Sequence, residues 1–248
     1  MSVAVAAAAF APGLAIGSFL NVVAARIPLK RSIVAPASAC MSCGHELTWH
    51  ENIPVFSYLV LRGRCKGCGT KIGVVYPVVE LVTALLIAGS FLAFGFSGKA
   101  FVASLFCATL VVISATDLSH RIVPNVIVLP VAAIVLVAMT LLEPSAEWAL
   151  GAFGASFFLF LAVFAYPKGM GMGDVKLALL LGAMLGRTVP VALMLGMLAA
   201  LVPSLVLFAR HGTAARKMYI PFAPFLSLGG IVALFFGEQF LDAYLSLF

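Results

Sequence analysis

Long apolar segments recur along this chain, and they restrict its fold more than any other feature. A helix needs about 20 mostly apolar residues to span the hydrocarbon core of a bilayer. Hydrophobic residues make up 63% of the 248 residues and charged residues only 10%, whereas soluble domains have about 45–50% and about 25%. We therefore predict an all-α, polytopic membrane protein with about eight transmembrane helices. The candidate spans are 3–25, 77–98, 100–116, 122–142, 148–166, 175–186, 188–209 and 219–236.

The positive charges predict the orientation of these spans. Cytoplasmic loops carry the excess of Lys and Arg. If all eight segments cross and both termini are periplasmic, only Lys99 and Arg187 of the 15 basic residues lie outside. The sixth segment is short, since its 12 residues rise only about 18 Å, but omitting it degrades this pattern. The net charge of +6 is spread too thinly for nucleic-acid binding. The basic residues on the predicted inner side are Arg26, Lys30, Arg31, Arg62, Arg64, Lys66, Lys71, Arg121, Lys168, Lys176, Arg210, Arg216 and Lys217.

Two of the nine acidic residues, Asp117 and Asp174, lie where an apolar segment meets the predicted cytoplasmic face. Carboxylates at membrane depth cost free energy and are functional hypotheses by default. Two carboxylates in one partly dry cleft share a proton. One can then activate water while the other polarises a peptide carbonyl, which is the chemistry of aspartic proteolysis.

Helix capping is the alternative interpretation of each aspartate, because Asp is a common N-cap. Asp117 would cap the helix that begins near Ile122, and Asp174 would cap the sixth segment. The sequence before Asp174 favours catalysis, because Gly169, Gly171 and Gly173 alternate there. Glycine adopts backbone conformations closed to other residues, and irregular backbone at membrane depth persists only in a protein-lined or wet site. We predict that Gly171 and Gly173 form active-site backbone.

Four cysteines in the loop 26–76 form two CxxC pairs separated by 21 residues. This spacing is close to that of structural zinc sites, in which four thiolates leave no open position for catalysis. Paired disulfides and unligated thiols are the alternatives, and a reducing cytoplasm disfavours disulfides. Cys107 is predicted to be an inert buried residue, and His45 and His50 to be solvated loop residues. The predicted zinc ligands are Cys40, Cys43, Cys65 and Cys68.

Several motifs together resemble bacterial type IV prepilin peptidases, which are GxGD aspartic membrane peptidases. The first lies at 17–23, followed by Arg26 and Pro28, and the cysteine loop follows it with 47–54 between the CxxC pairs. Tyr76, Pro77 and Glu80 come next. The segments 116–125 and 171–177 resemble the two catalytic aspartate motifs. The family commonly has Asp where this chain has Asn125.

The resemblance implies an enzyme of the bacterial inner membrane that cleaves the basic leader of prepilins and pseudopilins after a glycine, on the cytoplasmic side. It also implies N-methylation of the new amino terminus with S-adenosylmethionine, at a site that these residues do not locate. Three parts are expected: a first transmembrane helix at 1–25, a cytoplasmic tetracysteine loop at 26–76 and a helical transmembrane peptidase domain at 77–248. The partners are the substrates and the lipid bilayer.

Two rival functions remain open at this point. A peptidase without methylation would differ only in the second activity. A transporter or scaffold would use Asp117 and Asp174 to carry protons or ions, but it would favour further acids or histidines deep in the spans, and Glu80 is essentially the only one.

Overall fold

The computed structural model describes residues 2–166, 170–212 and 220–246. Within these ranges the regular structure is helical, apart from two isolated β-bridges in the cysteine loop. The prediction of an all-α fold is therefore confirmed. Three residues of the predicted charge pattern (Lys168, Arg216 and Lys217) and one predicted motif glycine, Gly169, lie outside the described residues. The α-helices are α1 (Ser2–Arg26), α2 (Phe56–Val60), α3 (Val75–Phe94), α4 (Gly98–His120), α5 (Asn125–Leu142), α6 (Glu147–Ala165), α7 (Met172–Leu185), α8 (Val189–His211) and α9 (Ala223–Leu245).

The chain divides into two compact units, the first ending at Ala115 and the second beginning at Thr116. In the first unit, α1 and α3 pack closely through glycines of α1. A Cβ atom added to Gly13 would lie 2.7 Å from the Cα atom of Ala84, and one added to Gly17 would lie 2.6 Å from that of Glu80. Small residues let membrane helices approach at backbone distance, so these glycines set the separation of α1 and α3.

In the second unit, glycines likewise bring neighbouring helices together. Gly182 of α7 lies against Gly151 of α6, where an added Cβ would be 2.1 Å from the carbonyl oxygen. Gly196 of α8 lies against Leu226 of α9, and Thr188 before α8 lies against Gly237 near the other end of α9. The order of these last contacts shows that α8 and α9 run antiparallel.

Seven helical stretches of the described chain are long and apolar enough to cross a membrane. One of them, Met172–His211, has 40 residues and contains both α7 and α8. Gly186 ends α7 with φ +51°, a conformation that glycine adopts without strain. Asp117 contacts the first residue of α9 and shares a cleft with Asp174 at the start of α7, so the N-termini of α7 and α9 lie at the same end of the unit. Because α8 is antiparallel to α9, it is also antiparallel to α7. This stretch accounts for two of the eight predicted segments.

Two of the predicted segments differ in length from the helices α7 and α9 that correspond to them. Helix α7 has 14 residues and therefore rises about 21 Å, somewhat longer than predicted but shorter than a bilayer core of about 30 Å. The last segment was expected at 219–236, whereas α9 runs from Ala223 to Leu245. It continues past Phe236, and Glu238 in this continuation pairs with Arg187.

Candidate functional site

Asp117 lies inside α4, about one turn before the helix ends at His120. Its side chain is buried, and the residue is only 3% exposed. Its Oδ2 atom accepts a hydrogen bond of 3.1 Å from the backbone N–H of Ala223, the first residue of α9. Helix α5 begins only at Asn125, so the expectation that Asp117 caps that helix is wrong. Asp117 instead binds a free N–H group at the start of α9.

Asp174 is the third residue of α7, and it is also buried, at 5% exposure. Its Oδ2 atom accepts a hydrogen bond of 3.3 Å from the backbone N–H of Gly171, which precedes the helix. Asp174 is therefore not the N-cap that was weighed as an alternative, because Gly171 is the N-cap and Asp174 binds back to its N–H from the third position of the helix. One oxygen of each aspartate therefore meets the N-terminal turn of a helix, where the partial positive charge favours a carboxylate.

Both aspartates line one cleft of about 270 Å³ in the second unit. They are close enough for their charges to interact, although 57 positions separate them in the sequence. At its rim, Nζ of Lys176 donates a hydrogen bond of 2.8 Å to Oδ1 of Asn125. Two buried carboxylates beside a space for a substrate can divide the roles of proton acceptor and proton donor. The lining consists of Asp117, Arg121, Ile122, Val123, Asn125, Gly171, Gly173, Asp174 and Lys176.

The two described glycines of the aspartate motif, Gly171 and Gly173, lack a side chain for different structural reasons. Neither has a positive φ. The expectation of an unusual glycine conformation is therefore wrong for both. Gly173 is needed for space, because an added Cβ would lie 2.9 Å from the Cβ of Val123. Gly171 has φ −88°, and its nearest neighbour to an added Cβ is Oδ2 of Asp174 at 3.8 Å. The missing side chain of Gly171 thus leaves open space beside that carboxylate.

The four loop cysteines converge, with all their Sγ atoms within 4.8 Å of one another. Sγ of Cys40 lies 3.8 Å from that of Cys68, and Sγ of Cys43 lies 3.9 Å from that of Cys65. Four thiolates about 2.3 Å from one ion would be about 3.8 Å apart in a tetrahedron. The cluster therefore fits a tetrahedral metal ion, and the distances exclude disulfides in this structure.

Each CxxC pair lies in a tight turn of the same construction. The β-bridges Ala39–Glu46 and Arg64–Lys71 close the two turns, and the residue after each pair is a glycine with positive φ, +74° for Gly44 and +70° for Gly69. Glycine adopts a positive φ without strain, and the two halves of the cluster therefore have matching geometry.

Glu51 ties the cluster to the rest of the loop. Its carboxylate accepts hydrogen bonds from the backbone N–H and hydroxyl of Thr48, at 2.9 and 2.8 Å. These bonds, with the Nε2 contact of His45 at 3.1 Å, lower the pKa of Glu51 to about 2. The prediction that His45 is a solvated loop residue is thus only partly right, since its ring contacts Glu51. Cys107 is fully buried, as predicted.

A second cavity, of about 400 Å³, lies in the first unit beneath the cysteine loop. Glu80 lines it and is buried, and its Oε2 atom accepts a hydrogen bond of 2.7 Å from the backbone N–H of Val55. Nδ2 of Asn21 donates a hydrogen bond of 3.1 Å to the carbonyl oxygen of Tyr76. Asn21 lines the cavity together with Glu80 and Tyr58.

A pair of buried carboxylates at one end of an apolar helical unit is the arrangement that an aspartic peptidase of the membrane requires. Residues 12–94 match the Bacterial Peptidase A24 N-terminal domain, and residues 104–209 match the Type IV leader peptidase family. The chain belongs to the type IV leader peptidase family and is a multi-pass membrane protein. The family expected from the motifs is confirmed.

Relatives with the name prepilin leader peptidase/N-methyltransferase align with nearly the whole chain. The protein of Bacillus subtilis (strain 168) is 37% identical over 248 residues, covering 95% of this chain and 96% of the relative. The protein of Pseudomonas aeruginosa is 36% identical over 266 residues, covering 94% and 91%. The protein of Burkholderia pseudomallei (strain 1026b) is 36% identical, covering 92% and 84%. No solved structure matches the chain at a significant level.

The sequence did not indicate that the start of α9 reaches Asp117, since 106 positions separate Asp117 from Ala223. Pro224 was the available signal for where α9 begins, because proline favours the first turn of a helix. The bond between Lys176 and Asn125 was also missed, although both residues were noted within the family motifs.

Proposed function

We propose that this protein is a prepilin leader peptidase that cleaves prepilins and pseudopilins after a glycine and then methylates the new amino terminus. The observation that carries the peptidase activity is the convergence of Asp117 and Asp174 on one cleft. In the proposed reaction, the ionised aspartate accepts a proton from water, whose oxygen attacks the scissile carbonyl. The protonated aspartate donates a hydrogen bond to the carbonyl oxygen, and a proton passes to the leaving amine.

The cleft geometry supports a peptide substrate that approaches in an extended form. Each aspartate has one oxygen held by a backbone N–H, which fixes its orientation and leaves the other oxygen for water or substrate. The open space beside Gly171 gives a substrate backbone access to Asp174. A pilin precursor anchored by its apolar segment would present its leader junction at this depth.

We infer a bacterial inner-membrane location with the cleft toward the cytoplasm and the termini in the periplasm. Positive charge marks the cytoplasmic side, and the cleft end of the second unit carries Arg121 and Lys176. Arg210, near the end of α8, lies at the same end because α8 is antiparallel to α9. Acidic residues predominate at the opposite end, namely Glu143, Glu147, Glu238 and Asp242.

The cavity beneath the cysteine loop is the candidate site of methylation. Its volume of about 400 Å³ is in the range of small-molecule sites. S-adenosylmethionine, when bound, supplies a methyl group attached to a positively charged sulfur. The carboxylate of Glu80 and the ring of Tyr58 both attract cations, so this lining fits such a cofactor. Glu80 would also hold the ammonium group of the new amino terminus and accept its proton.

We propose zinc as the ion of the cysteine cluster, with a structural role. Tetrahedral thiolate sites are typical of zinc, and a shell of Cys40, Cys43, Cys65 and Cys68 leaves no position for a substrate. The ion would join the two turns of the loop. No catalytic step passes through it.

Co-expression with a prepilin tests the peptidase, with Asp117→Asn and Asp174→Asn compared by gel mobility of the substrate. Each change keeps the size of the side chain but removes its ability to take a proton, so uncleaved substrate should accumulate. Asp242→Asn, at the exposed opposite end, is the matched control and should cleave normally. Full maturation by either cleft variant would contradict the paired-carboxylate mechanism. Mass spectrometry of the mature amino terminus tests methylation separately.

A further inference from the structure

The short helix α2 in the cysteine loop has two distinct faces. Tyr58, with Ser57, lines the cavity of the first unit. Phe56, Leu59 and Val60 lie on another face, and they are 61%, 67% and 63% exposed. Three adjacent apolar side chains on a surface are costly in water and commonly mark a contact with lipid or protein. Helix α2 lies outside the candidate membrane spans, so its apolar face needs a separate explanation.

The depth of α2 is fixed by the hydrogen bond from the N–H of Val55 to Oε2 of Glu80. Helix α3 starts at Val75 and has 20 residues, so it is about 30 Å long and matches the bilayer core. Glu80 lies five residues into α3, which is about 7.5 Å along its axis. Side chains on a helix lean toward its N-terminus, so the Val55 N–H that meets Oε2 of Glu80 lies beside the first two turns of a membrane helix.

The backbone on both sides of α2 turns sharply. Val55 and Arg62 have φ values of +60° and +53°, which are uncommon for residues other than glycine. After α2 the chain turns away through Arg62 and Gly63. The exposed basic residues that follow are Arg62, Arg64, Lys66 and Lys71.

An apolar face followed by basic residues is the composition of a segment that lies in a membrane interface. The depth of Val55 selects lipid over a soluble partner, because the first turns of α3 lie in the membrane boundary. Phosphate headgroups have the charge that complements the basic residues beyond α2.

We propose that α2 is an interfacial membrane anchor, with Phe56, Leu59 and Val60 in the boundary between acyl chains and headgroups of the phospholipid leaflet. Because α2 also forms one wall of the cavity, the leaflet would hold that wall and the cysteine loop against the membrane. This inference depends on the membrane location of α3 and not on the proposed catalytic roles.

Fluorescence quenching in vesicles tests the anchor on the full-length chain. Both native tryptophans are first replaced, as Trp49→Phe and Trp148→Phe, and a single new tryptophan is introduced by Leu59→Trp. In phosphatidylcholine and phosphatidylglycerol vesicles with bromine on shallow acyl carbons, its emission should be blue-shifted, strongly quenched by the brominated lipid and weakly quenched by acrylamide. The control is Glu46→Trp in the same background, at an exposed position of the same loop, which should show the opposite pattern.

Equal acrylamide quenching at both positions, without quenching by brominated lipid, would overturn the proposal. Protection of the Leu59→Trp probe from both quenchers would also overturn it, because a protein surface would then cover α2. Val60→Trp provides a second probe if Leu59→Trp does not fold. Metal content of the cysteine cluster shows that the loop is intact in each variant.

Discussion

The backbone N–H of Ala223 donates a hydrogen bond to the carboxylate of Asp117 over 3.1 Å, between residues 106 positions apart. The bond joins the first turn of α9 to the last turn of α4. It satisfies an N–H that α9 cannot satisfy itself, and it orients a buried carboxylate that faces the cleft. The start of α9 is thus part of the proposed active site, although it contributes no side chain to the chemistry.

Replacing Ala223 by proline removes this N–H, and we expect cleavage to slow. Proline is tolerated at the first position of a helix, so the start of α9 can persist. A hydrogen bond to a charged group contributes about 1.5–3 kcal/mol, and a loss of that size corresponds to roughly tenfold or more in rate. The initial rate of prepilin cleavage by Ala223→Pro in detergent measures the effect.

Ala223→Ser is the control for this prediction, because it keeps the N–H while adding one oxygen atom at the same fully buried position. Its cleavage rate should stay much closer to that of the wild type. If serine and proline reduce the rate equally, packing at position 223 is responsible, and the hydrogen bond does not matter for catalysis.

The two motif glycines should respond differently to alanine. Gly173→Ala brings a methyl group to 2.9 Å from the Cβ of Val123, and such overpacking costs about 1–3 kcal/mol, so its unfolding temperature should fall. Among the described residues, Gly171→Ala meets nothing closer than 3.8 Å, and it should fold normally. Its methyl group would occupy the space beside Asp174, so cleavage should fall while stability is kept. Thermal unfolding and cleavage assays on both variants separate the two effects, and a fully active Gly171→Ala would contradict the role of this space.

The sequence alone could predict much of this fold, because spanning helices are encoded locally by length and apolarity. The predicted span 148–166 and α6, Glu147–Ala165, agree within one residue at each end. The four cysteines could be assigned to one cluster because their spacing is also a local pattern. Contacts between distant helices have no such pattern, and the bond between Asp117 and Ala223 is the clearest example. The role of Gly173 likewise depends on Val123, which is 50 positions away.

Glu80→Gln should separate the two proposed activities. Glutamine retains a carbonyl oxygen that can accept the N–H of Val55, so the local structure should persist. It loses the negative charge that would attract the methyl donor and the substrate ammonium group, so methylation should fall while cleavage continues. Mass spectrometry should find mature pilin with an unmodified amino terminus. Normal methylation by this variant would contradict a role for Glu80 in the second activity.

Asp174→Asn is the complementary variant, because it should lack cleavage but methylate a peptide supplied with the mature amino terminus already free. Such activity would show that the two sites work independently. Failure of this variant to methylate the peptide would indicate that the second cavity is not a separate methylation site.

Metal binding should depend on the loop cysteines and not on the buried one. Cys40→Ser removes one of four thiolates and should lower the zinc content of purified protein well below that of the wild type, because serine is a poor zinc ligand. Cys107→Ser leaves the cluster intact and should retain full zinc content. Elemental analysis of both proteins decides the question, and retained zinc in Cys40→Ser would contradict the assignment of this ligand.

Glu51→Gln should speed the loss of zinc to a chelator, because an uncharged amide replaces a carboxylate that accepts bonds from Thr48 and contacts His45. The pKa of Glu51 is lowered to about 2 from its ordinary value of 4.5. The carboxylate therefore stabilises the folded loop fully above about pH 4.5, and this contribution is lost as the pH falls toward 2. Between pH 6 and 8, the ratio of the zinc-loss rates of variant and wild type should be constant, as a zinc-sensitive dye can measure. Glu46→Gln, the same change at an exposed carboxylate of the same loop, is the control and should release zinc at the wild-type rate. A ratio near one for Glu51→Gln would mean that the turns around the cysteines hold the cluster without this carboxylate.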